Sequence, residues 1–136
     1  MARKQEFTQE QKAEYFRNLR QQWQAAKARA AADDSIGAIY TQLCTMGVGD
    51  ISMYNVSLIL MQAESQGLDG LPYVDFKTYE HWRKSGFQVK RGEKSPVFSI
   101  TWVGGPKGEE AEAGEQDRPR FPKLTHLFHT SQVEAI

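Results

Sequence analysis

The stretch from Ser52 to Gly67 constrains the fold most, because it predicts a helix that is apolar on almost every side. Its apolar residues recur at helical spacing and include Val56, Ile59, Leu60 and Ala63. Ser52 can cap the start of this helix, and Gly67 suits the position after its end. Because a helix without a polar face has to be surrounded by other elements, we expect it at the centre of the core.

A long helix is predicted before it, over residues 8–32. Thr8 and Gln11 form a capping-box pattern at its start. Its apolar stripe consists of Tyr15, Phe16, Leu19 and Trp23, continued by Ala26 or Ala30. The opposite face is basic and polar. The alanine-rich end at 25–32 favours helix formation but has little to pack with, so we expect that end to protrude or fray.

The remaining chain predicts two short helices and two strands. The helices cover 36–46 and 79–85, and a glycine follows each of them. The strands cover 96–103 and 124–129, where β-branched and aromatic residues are concentrated. The segment 104–119 between the strands contains four glycines, two prolines and five acidic residues. We expect it to form a flexible acidic loop that joins the strands into an antiparallel hairpin.

These elements predict the fold class α+β, with three to four helices packed on a small antiparallel sheet. A chain of 136 residues fits one domain. We expect residues 1–34 to form a basic amphipathic N-terminal helix and residues 35–136 to form the domain itself.

The charges cancel over the whole chain, with 17 basic and 17 acidic residues, but they are unevenly distributed. Residues 30–76 contain six acidic residues and no basic one, whereas residues 77–107 contain seven basic residues and two acidic ones. A basic block of this kind is a candidate electrostatic footprint for a polyanion.

No catalytic, metal-binding or cofactor-binding motif is present in the sequence, so we expect no catalysis and no cofactor. The single cysteine, Cys44, lies on an apolar helical pattern and is expected to be a buried, inert thiol. His126 and His129 are predicted to point to opposite faces of a strand, which makes them a poor metal pair. The longest apolar run, 56–61, is too short to cross a membrane, so we expect a cytoplasmic protein without membrane contact.

Basic and aromatic residues alternate in the middle of the chain, a combination that favours binding of single-stranded nucleic acid. The candidate phosphate contacts are Lys77, Arg83, Lys84, Lys90, Arg91 and Lys94. The candidate stacking residues are Tyr79, Trp82 and Trp102. Asn55 is either a base-contacting residue or a buried hydrogen-bonding anchor. The alternative for the aromatic residues is that they belong to the core while the basic residues form a solvated face.

The order of the motifs resembles that of a known family. The motifs are Ser52-Met-Tyr-Asn55 at the start of the apolar helix, then Phe76-Lys-Thr-Tyr79, then Val89-Lys-Arg-Gly-Glu-Lys94 and finally Leu127-Phe128-His-Thr-Ser131-Gln132. Over residues 36–133 this is similar to the N-terminal domain of ArdC-type antirestriction proteins of plasmids and other mobile genetic elements. The resemblance implies sequence-tolerant binding of single-stranded DNA. Many members continue into a zinc metallopeptidase domain, so the chain is expected to be either a short form or one domain of a larger protein.

Two partner classes follow from these observations. The first is single-stranded DNA, or RNA, bound by the basic and aromatic residues. The second is a protein partner or a second copy of the chain, docked on the apolar stripe of the first helix.

Overall fold

The computed structural model describes residues 8–49, 51–104 and 120–136. The described chain contains four helices against a small antiparallel sheet, which confirms the predicted α+β class. The helices are α1 (Gln9–Ala32), α2 (Asp34–Thr45), α3 (Met53–Ser65) and α4 (Tyr79–Lys84). The predicted acidic loop lies outside the described residues, apart from Gly104.

Side-chain caps set the starts of these helices. Thr8 forms the predicted capping box with Gln11 at the start of α1. The Ser52 hydroxyl accepts a hydrogen bond from the Asn55 amide at the start of α3, as predicted. Asp33 closes α1 and caps α2, so the two helices follow each other without a loop. Each cap satisfies a backbone N–H that has no partner within its helix.

Two sheets contain the five strands. The larger sheet has the order β1–β4–β3, where β1 is Phe76–Lys77, β3 is Val97–Gly104 and β4 is Arg120–His129. The β3–β4 pair is antiparallel, which confirms the predicted hairpin, although β4 begins four residues earlier than predicted. The smaller sheet pairs β2 (Phe87–Val89) with β5 (Val133–Ala135), after a 3-10 turn at Thr130–Gln132.

Helix α3 lies at the centre of the molecule, as predicted, and contributes to all three apolar clusters. Ile59 packs with Phe76, Val97 and Leu127. The other two clusters place Leu58 with Leu19, Ala26 and Ile100, and Val56 with Ile36 and Leu43. Because one helix is shared by all three clusters, the core is continuous.

Helix α3 also covers the outer edge of the sheet through its amide side chains. Asn55 Nδ2 donates to the Ile100 carbonyl at 2.9 Å, and the Ile100 N–H donates to Asn55 Oδ1 at 2.8 Å. Gln62 forms the same reciprocal pair with the backbone of Phe98. The two side chains therefore satisfy edge groups that a further strand would otherwise pair with.

The expectation that the alanine-rich end of α1 protrudes is wrong. Ala26 is fully buried, and its carbonyl accepts a hydrogen bond of 2.8 Å from the Ser57 hydroxyl of α3. Arg29 forms a bidentate ion pair with Glu64 of the same helix. The small alanine side chain lets the two helices approach closely. Ala26 continues the apolar stripe of α1, but the partner that covers it becomes visible only in the tertiary structure.

Cys44 is exposed, so the prediction of a buried thiol is also wrong. Helix α2 buries Ile36 and Leu43 and turns Cys44 towards solvent. A hydrogen bond with Cys44 raises the pKa of Tyr40, one turn earlier on the same helix. The apolar residue at position 43, and not the cysteine beside it, occupies the core.

Candidate nucleic-acid interface

Helix α4 is held in place by Trp82, which removes this residue from the predicted stacking set. Its ring is 4% exposed, and its indole N–H donates to the Phe128 carbonyl at 2.9 Å. Phe87 packs against it at 5.7 Å between ring centroids. Since a base needs a free ring face, Trp82 acts as an anchor for α4.

A tight turn after β2 presents the basic residues Lys90 and Arg91. The Glu93 N–H donates to the Lys90 carbonyl, and Gly92 has a φ of 85°. A residue with a side chain rarely adopts this φ, which explains the glycine. Gln132 fixes the end of the turn, because its amide donates to the Lys94 carbonyl at 2.7 Å. The two cations therefore project from a defined backbone.

Tyr79, Lys90 and Arg91 line one shallow depression of about 470 Å³, which we call the Tyr79 depression. Its floor includes Val89 and Phe128. Tyr79 is 49% exposed, and both basic residues are exposed. The structure thus brings together one accessible ring and two cations from the predicted set.

Carboxylates also reach this surface. Glu93 and Glu134 line the Tyr79 depression, and Glu134 Oε1 accepts a hydrogen bond from Gln88. On α4, Glu80 lies 3.6 Å from Lys84, and both side chains are largely exposed. Exposed pairs of this kind contribute little, so the cations remain available to another anion.

The other basic residues of the set are distributed around this depression. Arg83 is exposed on α4, four residues after Tyr79 and so on the same side of the helix. The Lys77 ammonium lies 4.9 Å from the centre of the Trp82 ring. Lys94 lines a separate depression that also includes His129. The predicted cations are therefore divided among separate depressions and the surface of α4, and they do not lie in one groove.

The two remaining predicted residues, Asn55 and Trp102, lie elsewhere. Asn55 is 9% exposed, and both its amide nitrogen and its amide oxygen bond the backbone of Ile100, which identifies it as the anchor and not as a base reader. Trp102 pairs with Pro122, whereas Phe128 borders the Tyr79 depression. Six residues of β4 separate these two positions, which corresponds to roughly 20 Å of extended chain.

Trp102 belongs to a second aromatic group that the sequence analysis missed. Its ring contacts Trp23 of α1, and Trp23 in turn contacts Tyr54 of α3. Arg20 and Lys27 lie beside these rings. The signal in the sequence is the spacing of Arg20, Trp23 and Lys27. These residues are three and four positions apart, which places them on the same side of α1.

A more enclosed cleft of about 460 Å³ separates the turn after α2 from α4, above the sheet. Tyr73, His81 and Leu127 line it. Tyr73 has a φ of 67°, which is unusual for an aromatic residue. Burial raises the pKa of its hydroxyl to about 12, and a hydrogen bond with Ser99 acts in the opposite direction. The cleft is therefore lined by a neutral phenol at physiological pH.

The histidines form no metal centre in the part of the chain that the structure describes. No group of three or more His, Cys, Asp or Glu residues is arranged to hold a metal ion there. His129 is within hydrogen-bond distance of the Asp69 carbonyl and the Ser131 hydroxyl, and His126 contacts the Ser95 hydroxyl. Among the same residues, no helix is long and apolar enough to span a bilayer.

Fold and surface together define a small α+β domain. Its central helix α3 covers the sheet edge, and basic and aromatic side chains are exposed around the Tyr79 depression. The family model that describes the N-terminal domain of anti-restriction factor ArdC matches residues 5–128 of the 136. The chain belongs to this family, as the motif order indicates, and the match includes α1. No curated protein and no solved structure matches the chain.

Proposed function

We propose that this antirestriction-factor domain binds single-stranded DNA with little sequence preference and without catalysis of its own. The observation that carries the proposal is the Tyr79 depression, in which one exposed ring and two exposed cations meet. Unpaired bases stack on aromatic rings whatever their sequence, and the cations neutralise the phosphates between them. The motif resemblance to ArdC-type proteins implies the same ligand class, and the chain belongs to that family.

The depression suits a single strand better than a duplex. Tyr79 offers a ring face only to a base that is free of its partner, because paired bases are stacked inside the helix. The turn at Lys90–Glu93 is short and lies on the surface, and the two-stranded β2–β5 sheet beside it has only three residues in each strand, which is little to insert into a major groove. We therefore expect the domain to distinguish single-stranded from double-stranded DNA more strongly than it distinguishes one base sequence from another.

The test is charge reversal in the Tyr79 depression, with Lys90→Glu and Arg91→Glu combined. We expect this variant to lose binding to a labelled single-stranded oligonucleotide, measured by fluorescence anisotropy at two salt concentrations. Tyr79→Ala should weaken binding by about 1–3 kcal/mol, because one base–aromatic stack is lost. Tyr79→Phe should retain most of the affinity, since it keeps the ring.

A reversal of Lys12 and Arg17 on α1 changes the charge equally and serves as the control. Unchanged binding by the Lys90/Arg91 variant, with an intact circular dichroism spectrum, contradicts the assignment to this depression. Parallel titrations with duplex DNA and with RNA of the same sequence establish strand preference. Equal affinity for RNA would show that the domain does not distinguish the 2′-hydroxyl.

The structure does not favour the alternative of a docking surface on the first helix. Leu19 is buried, and Phe16 and Trp23 pack against the cluster formed with Leu58 and Ile100 of the same chain. The apolar stripe that would contact a partner is thus already packed against the core of the same chain. Homodimerisation remains a prediction of the sequence, to be measured by light scattering.

A further inference from the structure

Three aromatic rings meet where α1 crosses β3 and the start of α3. The centroids of Trp23 and Trp102 are 5.9 Å apart, and those of Trp23 and Tyr54 are also 5.9 Å apart, both in edge-to-face geometry. Tyr54 is 41% exposed, and the two tryptophans are partly buried. The three rings therefore extend from the apolar core to the surface.

Two cations border these rings. Arg20 and Lys27 line an open cleft of about 310 Å³ together with Trp23, Gln24 and Trp102, and we call it the Trp102 cleft. The Lys27 ammonium lies 5.5 Å from the centre of the Tyr54 ring. No hydrogen bond or ion pair to Arg20 or Lys27 is found among the described residues. The cleft thus combines ring faces with cations that have no carboxylate partner there.

The indole of Trp102 is poorly explained by packing alone. Its N–H is buried and has no hydrogen-bond partner among the described residues. Buried donors are nearly always satisfied, so an exception calls for a reason. Phenylalanine would occupy much of the same volume without an unpaired donor. The indole ring is wider than a phenyl ring and offers more surface for stacking, which is a role for tryptophan here that packing in the core does not provide.

We propose that the Trp102 cleft is a second contact for single-stranded nucleic acid. Its rings would hold an unpaired base, and Arg20 and Lys27 would hold the adjoining phosphates. The ligand class rests on the proposed function, but the cleft is separate from the Tyr79 depression, at the opposite end of the β3–β4 hairpin. The positions on β4 that border the two sites are roughly 20 Å apart along the strand, so an oligonucleotide that occupies both has to be several nucleotides long.

The test uses the full chain and a labelled 20-nucleotide oligothymidylate, with affinity measured at several salt concentrations. Tyr54→Leu removes the exposed ring that borders the cleft, in contact with Trp23 and Lys27, and should weaken binding roughly 5- to 150-fold, as expected for one lost stack. Combined Arg20→Gln and Lys27→Gln should lower the magnitude of the log–log salt slope by about 1.4, for two phosphate contacts at about 0.7 each. Lys12→Gln with Arg17→Gln is the matched control, because neither residue lines the cleft.

Trp102→Phe separates binding from folding. The variant should unfold at the same or a higher urea concentration than the wild type, because an unsatisfied buried donor is removed. Its affinity for the oligonucleotide should nevertheless fall, since the stacking area is smaller.

The outcomes distinguish the two sites. Cleft variants that match the wild type in affinity and salt slope overturn the Trp102 cleft, whatever the Lys90/Arg91 variant does. Loss of binding in the cleft variants but not in the Lys90/Arg91 variant supports the cleft and contradicts the Tyr79 depression. A wild-type chain that binds no single strand overturns both proposals.

Discussion

At the scale of single residues, Asn55 shows how one side chain can replace a strand. Its amide pairs with both backbone groups of Ile100, at 2.9 and 2.8 Å, in a buried position. Leaving such groups unpaired costs about 1–3 kcal/mol each. The residue is therefore fixed by the fold, and its place at the start of an apolar helix follows from the need to reach the sheet edge.

Asn55→Ala should lower the free energy of unfolding by about 2–4 kcal/mol, because the N–H and C=O of Ile100 lose their partner. Urea unfolding followed by circular dichroism measures this change. Gln66→Ala, directly after the last residue of the same helix, is the control, since Gln66 bonds the Pro96 carbonyl at an exposed position and should cost under about 1 kcal/mol. Equal effects of the two substitutions would show that the buried hydrogen bonds between Asn55 and Ile100 contribute no more to stability than an exposed one.

At the scale of elements, the close contact of α1 with α3 decides where the first helix lies. Ala26 is fully buried against α3, where the Ser57 hydroxyl bonds its carbonyl. Its neighbour Ala25 is exposed. Small residues at this crossing allow a hydrogen bond between a side chain and the backbone of another helix, which a larger side chain would prevent.

Ala26→Leu should destabilise the domain by about 1–3 kcal/mol, because the added atoms have no space between the two helices. Ala25→Leu adds the same atoms to the solvent-facing side and should leave stability within about 0.5 kcal/mol. Thermal unfolding of both variants tests the contact. A neutral Ala26→Leu variant would mean that α1 can move away from α3 without loss.

At the scale of the whole molecule, α3 joins three apolar clusters into one core, and α1 completes one of them. The whole sequence carries no net charge, so attraction of a polyanion depends on local groups of cations and not on a long-range field. Folding thus depends on the shared core, whereas the proposed binding of single-stranded DNA depends on side chains at the two ends of the hairpin.

Removal of residues 1–33 should abolish cooperative unfolding, because Leu58 and Ile100 lose the cover that Leu19 and Ala26 provide. The full chain should show one transition in which circular dichroism and tryptophan fluorescence coincide. The truncated chain should bind the dye ANS, as expected for exposed apolar surface. A truncated chain that unfolds cooperatively at an unchanged temperature would show that α1 is dispensable for the core.

Local sequence patterns were sufficient for most elements of the fold. The four helices, the caps at Thr8 and Ser52 and the central position of α3 follow from apolar spacing and from residues that act within one turn of the chain. The hairpin follows from two runs of β-forming residues. The strands β1, β2 and β5 have two or three residues each, too few for a periodic pattern, and they exist through their pairing partners.

The sequence by itself determined the α+β class and the family, because these depend on residue types and on the order of motifs along the chain. Tyr79, Lys90 and Arg91 were three of ten candidate contacts, and it is the structure that places them in one depression. Only the tertiary structure decided that Trp82 is an anchor and that Trp102 meets α1. Burial and side-chain partners arise from contacts between residues far apart in the chain, such as Trp82 with Phe128 and Trp23 with Trp102. No local pattern specifies which of several aromatic residues keeps a free face.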